Sequence, residues 1–348
     1  MPTTLATVIH ISDLHFSQVD PRSWHRFTRP FWGRVPLIDR MIGHDAEMLS
    51  RLSDFLDTHP GAERAELVVT GDVTGVGSTN EFRVATQYLG KQLSPPDGDY
   101  VGLHRPGWRD FAIPGNHDHW PGVASILGRS RPWPAIGVLP TCPYLSRPIP
   151  LGGHRTLRFL GVDSDADVLP WGWKRFSATG SCVDELARAR TLPKRQDGEI
   201  RVLLFHHSRV RAEHAPATNG IEHASMQALD GFLRDSDIRV MLTGHVHSPV
   251  VTQLQLPKGS GHGVLEARCG TTTQIVNKPV YLSRAFAWMP GFESQVREHS
   301  NRANSLLVHT VEENTAIFWR SQIFTPAREA GRGFEHSGLP DVRIQVYP

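Results

Sequence analysis

Five short patches of this chain are rich in side chains that bind cations and move protons: Asp13-Leu14-His15, Gly71-Asp72, Gly115-Asn116-His117-Asp118, His206-His207 and Gly244-His245-Val246-His247. Carboxylates, imidazoles and a neutral amide oxygen together form a donor set suited to a pair of divalent cations. Two such cations, about 3.5–4 Å apart, perform two of the three tasks in cleaving a phosphate ester: they make a nucleophile at neutral pH and they neutralise phosphoryl charge. Lowering the pKa of a bound, bridging water from about 15.7 to about 7 stabilises hydroxide by roughly 12 kcal/mol, more than any side-chain base supplies. The third task, protonation of the leaving oxygen, needs a positioned acid.

The spacing suits that chemistry. In Asp13-Leu14-His15 alternate residues at a strand end share a side, so a carboxylate and an imidazole are expected on one ion. Gly71 lets a turn bring Asp72 close, and its two oxygens make it the candidate bridge between two ions. Asn116 offers a carbonyl oxygen, while His245 and His247 alternate again and suit neighbouring ions. Asp-x-His alone is weak, and an isolated histidine pair is more often a surface or core pair. Five patches in this order, each behind an apolar run, are hard to attribute to chance.

The elements that must position these groups read as alternating strands and helices. Leu5–Ile11, Leu67–Thr70, Phe111–Ile113, Leu157–Val162, Val202–Phe205 and Ile238–Leu242 are short apolar runs of strand length. Apolar residues from Ile38 to Leu56 recur at helical spacing up to His59-Pro60-Gly61, as do those of Asn80–Leu93 and Met226–Leu233. Ser181 with Asp184 and Glu185 resembles a helix start. After His247, Val250–Leu256, Val264–Cys269, Ser305–Val311 and Thr315–Trp319 are expected to be antiparallel strands. The pattern predicts an α/β sandwich with two packed sheets. Residues 1–325 are read as one domain with insertions near 17–45 and 121–150, and 326–348 as a C-terminal tail.

Composition fits a folded protein, with 39% apolar and 21% charged residues. A net charge of +2 gives no field that favours nucleic acid or an anionic membrane. No stretch reaches the roughly 18 apolar residues of a membrane helix. Three scattered cysteines imply no disulfide framework, and the chain enters a strand almost at once without a secretory pattern, so a cytoplasmic location is expected. The oligomeric state is not fixed, and a homodimer is compatible.

On Asp13-x-His15, Gly71-Asp72, Gly115-Asn116-His117-Asp118, His206 and Gly244-His245-x-His247 the chain resembles the calcineurin-like metallophosphoesterase superfamily. With Gly-Asn-His-Asp and the double His206-His207, it looks most like the bacterial class III cyclic-nucleotide and glycerophosphodiester phosphodiesterases. The resemblance implies a four-layer α/β/β/α sandwich of two mixed β-sheets flanked by helices. It implies two divalent ions (Mn, Fe or Zn), one held by Asp13, His15, Asp72 and His247, the other by Asp72, Asn116, His206 and His245. His117 would then stabilise the transition state or protonate the leaving oxygen, and Asp118 would orient His117. Strand-end placement favours His206 as ligand and leaves His207 as a supporting or substrate contact. A small phosphodiester is the expected substrate, with a nuclease, a phosphomonoesterase and a non-catalytic scaffold as the competing readings.

Two departures stand out. The segments 17–36, with Trp24, Phe27, Phe31 and Trp32, and 121–150 are long. After Asp72 the chain reads Val73-Thr74-Gly75, where a second acidic residue is common in the relatives. His119 and Trp120, next to the Asn-His-Asp patch, are candidates to line the pocket. Arg209 and Arg211 are candidates for substrate phosphate, against a salt-bridge alternative, and Trp171 and Trp173 for stacking on a ring, against burial.

Overall fold

The computed structural model describes residues 2–16, 44–90, 102–120, 131–168, 179–210, 220–256, 261–273, 304–329 and 333–348. The aromatic segment after His15, the start of the helix expected from Ile38, Trp171, Trp173 and Arg211 lie outside these residues.

The strands are β1 (Thr3–Ile11), β2 (Glu66–Thr70), β3 (Ala112–Ile113), β4 (Tyr144–Leu145), β5 (Ile149–Gly152), β6 (Arg155–Gly161), β7 (Glu199–Leu204), β8 (Val240–Thr243), β9 (Val250–Leu256), β10 (His262–Arg268), β11 (Leu306–Glu313), β12 (Ile317–Pro326), β13 (Phe334–His336) and β14 (Val342–Tyr347). The helices are α1 (Ala46–Thr58), α2 (Thr79–Gly90), α3 (Pro132–Ile136), α4 (Val183–Ala189) and α5 (His223–Asp235). One sheet has the order β13-β12-β11-β1-β2-β3 with β14 also on β12; the other runs β4-β6-β7-β8-β10-β9 with β5 also on β6.

Period-two alternation places these strands in four layers. In β1, Val8 faces the second sheet while Ile9 and Ile11 face α1 and α2; in β2, Val68 points inward and Leu67 and Val69 outward. In the second sheet, Val202, Leu204, Val240 and Leu242 fill the space between sheets, and Leu203 and Met241 pack on α4 and α5. Strands apolar on both faces belong in the middle of such a sandwich, and β7 and β8 are buried along their whole length. Helix α1 starts at Asp45, whose carboxylate accepts from Glu47 N at 2.9 Å, and presents Leu49, Leu52, Phe55 and Leu56 to the core. It stops before Pro60, which disfavours helical backbone at His59.

Two segments are more integrated than their composition suggests. Residues 131–150 supply α3, whose Trp133 is buried against Phe82 and His119, and strands β4 and β5 on the edge of the second sheet. The segment read as a C-terminal tail from 326 contributes β13 and β14, both antiparallel to β12, so it is part of the first sheet. Among the described residues no helix is long and apolar enough to cross a membrane.

Candidate metal centre

Strands β1, β2 and β3 run parallel to one another, as do β6, β7, β8 and β10. The carboxyl ends of β1, β2, β3, β7 and β8 therefore open on one edge of the sandwich, the crevice where α/β folds place their chemistry. Each of the five patches follows one of these ends.

The local backbone differs from the extended alternation expected at Asp13/His15 and His245/His247. β1 ends at Ile11, and Asp13, His15, Asp72, His245 and His247 have left-handed φ of 52°, 48°, 49°, 72° and 58°. Their side chains share a side because the turns curl. The preceding glycines make room: a Cβ on Gly71 would lie 2.6 Å from His206 Nδ1, one on Gly115 2.3 Å from Asp72 Oδ1, and one on Gly244 1.9 Å from Ser12 Oγ.

Two donor groups result. Asp13, His15, Asp72 and His247 offer atoms all within 4.8 Å of one another, as do Asp72, His206 and His245; Asp72 belongs to both. Asn116 joins the second group, its Oδ1 3.1 Å from His206 Nε2 and 3.0 Å from His245 Nδ1. His247 Nε2 lies 3.0 Å from Asp13 Oδ1 and 3.3 Å from His15 Nε2. His206 donates from Nδ1 to the Thr70 carbonyl at 2.7 Å, which orients the ring with Nε2 toward Asp72 Oδ2, 3.4 Å away.

These donors fit cations. Among the described residues Asp13 Oδ1 is buried with its hydrogen-bonding capacity unfilled, facing the His247 and His15 imidazoles, and two buried carboxylates share the site. Burial pushes the Asp13 carboxyl above its ordinary range, with Asp72 adding to it. Burial pushes Asp72 the same way, but the charges of His206, His117 and His15 prevail and hold it well below the usual carboxylate range. Burial would lower His206, yet Asp72 and Asp13 raise it to about 9. Histidines brought beside two carboxylates stand in for positive charge that a metal pair supplies better. The buried Asp and His clusters suit a binuclear metal site.

His117 is the most open of the group, with 16% of its side chain exposed, and its Nε2 faces Asp72 Oδ2 at 3.9 Å. Its Nδ1 donates to the Gly75 carbonyl at 2.8 Å. The role expected for Asp118 therefore takes a different form. The Asp118 carboxylate accepts from Gly115 N, Val73 N, Thr74 N and Thr74 Oγ1, pinning the Asp72 turn to the Asn116 turn, and meets His117 only through the loop that carries Gly75. Burial and Asp72 push its carboxyl up to about 6 against the Gly115 and Thr74 donors.

Each of the three expected substrate contacts has a partner within the protein. His207 is buried beside His245 with ring centroids 4.3 Å apart, and its Nδ1 lies 2.7 Å from Ser164 Oγ. His119 turns away to Asp163, 3.1 Å from Oδ1, and packs on Trp133. Arg209 forks onto Asp230 of α5 at 2.7 and 2.8 Å, the salt-bridge alternative. Sequence reasoning missed Thr271-Thr272-Thr273. Thr271 Oγ1 donates to the Asp13 carbonyl, Thr272 N to the Ser12 carbonyl and Thr273 Oγ1 to the Leu14 carbonyl, so this triplet straps the first ligand turn. Three hydroxyls directly after a buried strand and Gly270 were the available signal.

A family profile described as calcineurin-like phosphoesterase matches residues 6–249, which include both donor groups. No curated protein sequence matches the chain. Among solved structures, it is similar to GAP50, the anchor in the inner membrane complex of Plasmodium, with a TM-score of 0.50, 11% identity and coverage of 99% of this chain and 89% of that one. It is also similar to the purple acid phosphatase PPD1 from yellow lupin (Lupinus luteus) seeds, with a TM-score of 0.52, 11% identity and coverage of 98% of this chain and 53% of that one. At such identities these likenesses speak to the fold alone.

Proposed function

The chain belongs to the calcineurin-like phosphoesterase family, and on that premise we propose a two-metal phosphodiesterase acting on small diesters of the cyclic-nucleotide or glycerophosphodiester kind, as in the bacterial class III enzymes. The observation that carries the reading is the convergence of two buried donor groups on one shared carboxylate, Asp72. Asp13, His15, Asp72 and His247 would hold one ion and Asp72, Asn116, His206 and His245 the other. Bound divalent metals supply an activated water and neutralise charge on the phosphoryl group. Mixed nitrogen and oxygen donors suit Mn, Fe and Zn alike.

The remaining work falls to side chains of this chain. With Nδ1–H engaged by Gly75, the Nε2 of His117 faces Asp72 at the exposed side of the cluster, where an ester would lie. It is the group that holds a proton for the leaving oxygen. A diester carries one negative charge at neutral pH, whereas a monoester approaches two and rewards a free guanidinium. Among the described residues, two arginines near the site are engaged elsewhere: Arg209 by Asp230, and Arg268 by the Ser248 carbonyl and Ser208 Oγ. That supports the diester reading. Three unpaired cysteines support a reducing, cytoplasmic setting.

The test compares bis(p-nitrophenyl) phosphate with p-nitrophenyl phosphate under added Mn²⁺, Zn²⁺ or Fe²⁺. The diester is expected to be turned over about tenfold faster or better. Asp72→Asn is expected to lose bound metal and activity together. His117→Ala is expected to keep its metal and slow by about 10²–10⁴-fold. Unchanged turnover in both variants would sink the mechanism. Faster monoester hydrolysis would favour a phosphomonoesterase, and salt-sensitive DNA or RNA binding a nuclease.

A further inference from the structure

We propose that Trp120 and the main-chain carbonyl of Gly75 are the groups that position His117, and that through it they govern how well poor leaving groups are expelled. The inference rests on the role given to His117 above. It begins with the departure at Gly75, where this chain has no side chain with which to hold an imidazole. The carbonyl of the same residue does so instead, accepting from His117 Nδ1 at 2.8 Å. The Trp120 ring lies along the imidazole with centroids 3.9 Å apart and planes 31° apart, and His15 abuts it edge-on with centroids 4.7 Å apart. The hydrogen bond sets the tautomer and one ring rotation, and the two ring contacts set the plane.

The frame behind these contacts is built for a fixed position. Thr74 Oγ1 donates to Asp118 and accepts from Gly77 N at 3.0 Å; Gly75 N donates to the Phe16 carbonyl at 2.8 Å; Val76 N donates to Glu81 Oε2 at 3.0 Å. Gly77 has φ +70°, and a Cβ there would sit 2.1 Å from the Trp120 carbonyl oxygen, so residues 74–77 interlock with the 117–120 turn. That turn closes on itself, Trp120 N donating to the His117 carbonyl at 3.1 Å. A displacement of about 1 Å at a reacting group costs on the order of 100-fold, so a ring wedged in this way has catalytic consequence.

The experiment reads turnover of two aryl diesters, one losing p-nitrophenolate and one losing the more basic phenolate, in the metal-loaded protein. Trp120→Leu is expected to cut phenolate release about tenfold or more while changing p-nitrophenolate release less than about threefold. His117→Ala should show the same bias more strongly, the double variant should be no worse than His117→Ala, and Trp120→Phe should recover most of the loss. A second measurement needs no metal: long-range ¹H–¹⁵N spectra of the metal-free protein should show the Nδ1–H tautomer of His117 in the wild type and Trp120→Phe, and tautomer averaging in Trp120→Leu and Gly77→Ala. Equal loss on both esters, or an unchanged tautomer in Trp120→Leu, would overturn the proposal. If the wild type hydrolyses neither ester, the functional reading fails and the tautomer measurement alone decides the positioning.

Discussion

Left-handed backbone at a residue with a Cβ costs about 1–3 kcal/mol, and Asp13, His15, Asp72, His245 and His247 all adopt it. The cost is offset by local hydrogen bonds, such as Asp13 N to the Gly71 carbonyl and His245 N to Asp13 Oδ2, and by any cation the turns hold. Gly115→Ala should tip this balance, because its Cβ would enter the Asp72 backbone and carboxylate. We expect bound metal, counted by elemental analysis, to fall from two equivalents to below one; full retention would show that the turn yields freely. Residue types and order made the donor set legible in the sequence. The orientation of His119, Arg209 and Asp118 was not, because it depends on Asp163, Asp230 and the Thr74 hydroxyl, partners fixed only by the fold. Thr271–Thr273 lie about 258 residues from the turn they hold, beyond the reach of any local pattern.

Among the elements, β1, β2, β7 and β8 were readable because both faces of each are buried, which demands unbroken apolar runs. β4, β5, β13 and β14 are short or lie at sheet edges, in Pro- and Gly-rich sequence, and carry no such signature. At Ser181 the helix signal was right about the element and one residue off in its cap: the Ser181 hydroxyl donates to Glu222, and Cys182 is the residue from which α4 starts. A capping box exists instead at Ser78 and Glu81, each bonding the other's backbone N–H at the head of α2. Between the sheets, His10 of β1 and His309 of β11 meet at 3.4 Å, backed by Thr70 and Ser321. Burial lowers His10 to about 3 and His309 well below its ordinary value. A histidine depressed in the fold binds fewer protons there than in the unfolded chain. Its contribution to stability is thus complete above pH 6.5 and is lost as pH falls from 6.5 toward about 3. In chelator-treated protein, the urea midpoint should drop between pH 8 and pH 5, and the drop should shrink in His309→Gln. An equal drop in both proteins would assign it to other groups.

At the scale of the molecule, the site is a seam: Asp13, His15, Asp72 and Asn116 come from the first sheet's side, His206, His245 and His247 from the second's. Cations in the seam bind only when both sheets are in place, so they stabilise the whole by mass action, about 2.7 kcal/mol at a hundredfold excess over Kd. For a chain of 348 residues the conversion is about 1–2 °C per kcal/mol, so stripping the metal should lower Tm by roughly 3–5 °C. Asp72→Asn should show little such shift; a metal-independent Tm in the wild type would mean the sheets do not need the seam. The first sheet also has a consequence for how the protein is made. β1 lies between β2 and β11, Val8 facing His309, so the strand that leads into the first ligands waits for a neighbour translated some 300 codons later. A nascent chain that has passed His247 but not reached Leu306 carries the whole motif without the scaffold that shapes it, so the seam closes only once β11 has been made.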